Sequence, residues 1–146
     1  MAVDPAPPPA RRLPWGLERG ALLRGAAAYV LIAGVGGLVI SLTHGNDTAG
    51  QESSLWVLAA VVVLLVAPVV GGFVAGAARP SAPLSHAAAA VGLPAGVFLV
   101  IRVIVGLARG DLTAGQVVSF LLYLVVFTGL AIVGGYLAFR RRAHTV

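Results

Sequence analysis

The 146-residue chain contains no cysteine, which excludes disulfides, thiolate metal sites, a cysteine nucleophile and a lipoprotein anchor. It also contains no lysine, and charge of either sign is scarce: Asp, Glu and Arg together make up 10% of residues. Ordinary soluble proteins carry about 25% charged and about 45–50% apolar residues. Here 59% of residues are hydrophobic and the mean hydropathy is +0.98. Neither a soluble globule nor a disordered chain has that composition, so the solvent of most of this chain is predicted to be lipid. The length accommodates one domain. Lysine-free sequence beside abundant Ala, Gly, Val and Arg points to a bacterial source of high GC content.

Four stretches hold no Asp, Glu, Lys or Arg: residues 25–46, 53–78, 80–101 and 112–139. About 20 mostly apolar residues suffice to cross about 30 Å of hydrocarbon. The spans are therefore placed at Leu22–Thr43, Leu55–Ala78, Leu84–Ala108 and Gln116–Phe139. Each is expected to be a helix, because backbone polar groups in lipid need partners within their own segment. The same rule overrides the strand propensity of Val61-Val62-Val63. The predicted fold class is all-α: a polytopic membrane protein of four transmembrane helices, arranged as two tandem helical hairpins. Residues 1–21 form a Pro/Arg-rich cytoplasmic tail, largely disordered, residues 22–139 the membrane domain and residues 140–146 a basic cytoplasmic tail. The first apolar run is longer than the 7–15 residues of a signal-peptide core and no clean A-x-A site follows, so it is read as a retained span.

Arginine sets the direction. Arg11, Arg12, Arg19, Arg24, Arg79, Arg140, Arg141 and Arg142 fall on one side, against Arg109 on the other. Under the positive-inside rule both termini are cytoplasmic and the membrane is the bacterial plasma membrane. The basic balance is thereby explained by orientation, and no nucleic-acid-binding module is present. Trp15 and Trp56 stand at span boundaries as interfacial anchors.

The sequence also repeats itself. Thr48-Ala49-Gly50-Gln51 reappears as Thr113-Ala114-Gly115-Gln116, 65 positions on. Val70-Gly71-Gly72-Phe73 matches Val133-Gly134-Gly135-Tyr136, and Leu31-x-Ala33-Gly34-Val35 matches Leu93-x-Ala95-Gly96-Val97. The order is conserved and the offset drifts by only a few residues, which predicts a parallel internal repeat of two hairpins. Thr48 and Thr113 are expected to cap the following helices, with Gln51 and Gln116 at capping-box spacing, a structural rather than a ligand-binding role.

Small residues recur every fourth position: Ala33, Gly37 and Ser41; Gly72 and Gly76; Ala88, Gly92 and Gly96; Ala131 and Gly135. Such faces let helix backbones approach closely in lipid. Gly37, Gly72, Gly76, Gly92, Gly96 and Gly135 are the candidate packing positions. Pro68 and Pro94 are expected to kink their spans.

Arg24 falls in the first turn of its span, so Arg102 is the one charge not assignable to a boundary, six residues before Ala108 and so about 9 Å from its edge. Either it snorkels to the interface or it faces the bundle, with Tyr123 as nearest partner. His44 and His86 lie at opposite membrane faces and cannot share a metal; each is read as a plain interfacial residue. No span holds an acid, so a carboxylate relay has no candidate. No nucleotide, zinc-protease or hydrolase motif is present, so no catalytic residue, cofactor or metal ligand is assigned.

Gly71-Gly72-Phe73-Val74-Ala75-Gly76, followed after a short loop by His86-Ala87-Ala88-Ala89, resembles a family of uncharacterised small bacterial four-span membrane proteins. The resemblance implies topology and no activity. The expectation is a non-catalytic membrane protein whose partners are the bilayer and either itself or a larger membrane complex. The alternative is a small channel or transporter for an anionic solute.

Overall fold

The computed structural model describes residues 16–44 and 54–144. It is all-helical, with α1 at Arg19–His44, α2 at Ser54–Ala78, α3 at Pro83–Arg109 and α4 at Ala114–Ala143. All four are long and apolar enough to cross a membrane. The charge-free runs thus mark the helices, whose ends extend beyond the expected spans. α1 begins at Arg19 rather than Leu22. α4 runs through Arg140, Arg141 and Arg142 to Ala143 rather than ending at Phe139. Three arginines in its last turn suit the negative end of the helix dipole. α2 passes Pro68 and α3 passes Pro94 without ending.

Short turns fold the helices back on one another. Between α2 and α3, Pro83 occupies the first helical turn, where its missing N–H costs nothing. Between α3 and α4, Gly110 takes a left-handed backbone, φ 71°, and its N–H bonds the carbonyls of Gly106 and Leu107. The following Asp111 N–H also reaches Gly106 O, at 3.2 Å, so the helix end is closed in the manner of a Schellman motif.

α2 and α3 each pack against all three other helices, whereas α1 and α4 have no backbone contact. The core is built from small side chains: Ala67, Ala75, Ala87, Ala90, Val91 and Ala131 are buried almost completely. Large ones point outward, as with Leu42 at 74%, Leu23 at 69% and Val125 at 68% exposure. This inversion of the soluble pattern follows from the solvent. Lipid supplies no hydrophobic drive between helices, so close backbone packing holds them together.

The glycines show where that packing is tightest. A Cβ on Gly72 would strike the backbone of Ala131, and one on Gly134 would strike Val69 O. A Cβ on Gly76 would lie 2.9 Å from the Gly135 Cα. Gly72 and Gly76 of α2 therefore run alongside Ala131 and Gly135 of α4, both pairs advancing by four residues, which makes this a parallel small-residue crossing. Gly135 also abuts α3 through Pro83 and Ala87, and Gly92 meets Thr128 of α4. A Cβ on Gly37 or Gly96 would meet no described atom within 4 Å, so neither glycine marks a close helix approach among the described residues. Four close approaches that the spacing rule did not select are Gly25, Gly36, Gly71 and Gly134. Gly25 faces Gly71, Ala75 and Ala90; Gly36 faces Val63; Gly71 faces Tyr29.

The two hairpins are not disposed as equivalent units. α3 touches α2, but its counterpart contact, α1 with α4, is missing. The matched glycines Gly71 and Gly134 meet different helices, α1 and α2 respectively. The packing therefore does not confirm the internal repeat expected from the sequence.

Candidate functional site

Side chains able to do more than pack gather at the two ends of the bundle. The first end holds the start of α1, the α2–α3 turn and the end of α4. There His86 is 1% exposed. Its Nε2 accepts the Glu18 backbone N–H at 2.9 Å, so the ring proton resides on Nδ1, which donates to Ala82 O at 2.8 Å. Both ring nitrogens are occupied, and the imidazole ties the entry of α1 to the first turn of α3. The Glu18 carboxylate pairs with Arg79 at 3.0 Å. Arg142 Nη2 donates to Ala77 O at 2.6 Å, placing a cation at the carbonyl end of α2. His86 is therefore a buried structural fastener rather than the plain interfacial residue expected. Its partner is a backbone group 68 positions away, which leaves no side-chain signature to read.

The opposite end carries the α3–α4 turn. The capping box expected there is present: the Thr113 hydroxyl accepts the Gln116 backbone N–H at 3.3 Å, and the Gln116 side-chain Oε1 accepts the Thr113 N–H at 2.8 Å. Thr48 and Gln51, the other expected capping pair, lie outside the described residues, as does Trp15.

Below this turn all four helices border a cavity of about 290 Å³, with Tyr29 from α1, Leu64 from α2, Arg102 from α3 and Tyr123 from α4 among its walls. Arg102 and Tyr123, paired on sequence grounds, do line one space. They are not hydrogen-bonded: the Arg102 guanidinium sits over the Phe98 ring, 5.9 Å from its centroid, a cation–π distance. The Tyr123 ring stacks on Phe127, centroids 6.0 Å apart. A smaller recess of about 90 Å³ adjoins, bordered by Arg102, Arg109, Asp111 and Gln116. Arg102 belongs to both spaces, so it stands between an apolar chamber and a polar rim. A guanidinium there can hold an anion.

Among the described residues no group of three His, Asp or Glu side chains is placed to hold a metal ion. No family model, curated protein or solved structure matches the chain.

Proposed function

We propose that the chain is a non-catalytic integral protein of the bacterial plasma membrane that works by associating with a second copy of itself or with a larger membrane complex. The supporting observation is the open face of α1. This helix has no contact with α4, and Gly34 and Gly37 have nothing within 4 Å. Small residues with no described atom against them leave room for a helix from outside the bundle. Both termini are assigned to the cytoplasm, because eight arginines lie on their side of the spans against Arg109 on the other. Native mass spectrometry in mild detergent tests the association. A dimer or a co-purifying partner, lost in Gly37→Leu, is expected; a strictly monomeric species without partners overturns the reading.

A second reading, a small channel or transporter for an anionic solute, is favoured by the Arg102 cavity. Flux into reconstituted vesicles should fall in Arg102→Ala. Equal background leak in variant and wild type ends that reading.

A further inference from the structure

The cavity and the recess beside it are polarised along the bundle axis. The recess, with Arg102, Arg109, Asp111 and Gln116, lies toward the α3–α4 turn. The cavity runs the other way, toward the bundle middle, past Phe98, Leu99, Leu124 and Phe127. Arg102 is seven residues from Arg109, which ends α3, or about 10 Å along the axis. Arg102 borders both the recess and the cavity, and its guanidinium lies over Phe98, one turn deeper. Two guanidinium groups face one carboxylate, so the rim has an excess of positive charge. Among the described residues neither Arg102 nor Arg109 forms an ion pair or hydrogen bond; the partner of Arg102 is the Phe98 ring. The cavity's 290 Å³ is roughly twice the apolar void known to admit benzene, enough for about ten carbons.

We propose that this site binds one anionic membrane lipid, its phosphate held by Arg102 with Arg109 and one acyl chain in the cavity. Basic pockets between membrane helices recognise lipid headgroups on the cytoplasmic side; here the same chemistry is placed on the opposite side, and the order of polar rim and apolar depth is that of a lipid in its own leaflet. A free anion would leave the aromatic chamber unfilled, and a zwitterionic lipid would forgo the net charge of the rim. The assignment rests on reading the cavity as an anion site, but not on transport.

The test is a lipid titration of the purified full chain in dodecyl maltoside, read by native mass spectrometry. The probes are phosphatidylglycerol, phosphatidylcholine and inorganic phosphate. A 1:1 phosphatidylglycerol adduct is expected, at least tenfold tighter than with phosphatidylcholine and not displaced by millimolar phosphate. Arg102→Gln should weaken it at least tenfold, and Leu99→Trp, which fills the chamber and leaves the rim intact, should do the same. Helicity by circular dichroism confirms that each variant is folded, and Gly129→Ala, with open space around it, serves as an unaffected control. Equal retention of the two lipids, insensitivity to Arg102→Gln in folded protein, or phosphate binding without lipid binding each overturns the proposal. Specific lipid retention without flux would end the transport reading alone.

Discussion

At the scale of the residue, His86 and the close-packed glycines have the least room to change. His86→Phe keeps the ring volume but removes the acceptor for the Glu18 N–H. A buried donor left unpaired costs about 1–3 kcal/mol, and unfolding of the variant in mixed detergent micelles should shift by that amount. Nitrogen NMR of the labelled wild-type ring should report the tautomer with its proton on Nδ1. Gly72 meets backbone, which cannot swing away as a side chain can. Gly72→Ala is therefore expected to cost at least the 1–3 kcal/mol typical of overpacking. Gly96→Ala, with open space around it, should stay within about 0.5 kcal/mol of wild type. The sequence identified Gly72, Gly76, Gly92 and Gly135 as packing positions, and the structure puts all four near another helix. It could not separate them from Gly37 and Gly96, because four-residue spacing says which glycines share a face and not which face meets a neighbour. Gly36 escaped the spacing rule because its fourth neighbours, Ile32 and Ile40, are large, and Gly25 because its small fourth neighbour, Ala21, precedes the expected span.

At the scale of the element, helix existence was legible and helix ends were less so. Absence of charge marks the part of a helix inside hydrocarbon, whereas a helix can continue into the interface wherever its residues allow. α4 does so through Arg140–Arg142. The capping motif before α4 was legible because its partners are three residues apart and its chemistry is local. Thr113→Ala should cost about 0.5–2 kcal/mol of stability. Gly110→Ala, at φ 71°, should cost about 1–2 kcal/mol for the left-handed backbone. Both changes sit in one turn and should be less than additive, a point that a double-mutant cycle measured by denaturant titration checks.

At the scale of the whole molecule, the four-helix class followed from composition, while the pairing of helices did not. Nothing in hydropathy distinguishes a square arrangement from one in which α2 touches every other helix and α1 and α4 stay apart. The duplicated motifs suggested equivalence between the hairpins, yet their glycines serve different neighbours. Because the chain lacks cysteine, single cysteines introduced at Ala2 and Thr145 are clean probes of sidedness. Both should resist an impermeant thiol reagent applied outside intact cells, and labelling of either would reverse the assigned direction. The small-inside, large-outside core has one more consequence, for descent. Positions facing lipid need only be greasy, so Leu, Val and Ile can drift among themselves at little cost, while the Ala and Gly that let backbones touch cannot enlarge. Distant cousins of this chain should be recognisable by the register of their smallest residues, long after the bulky ones have ceased to align.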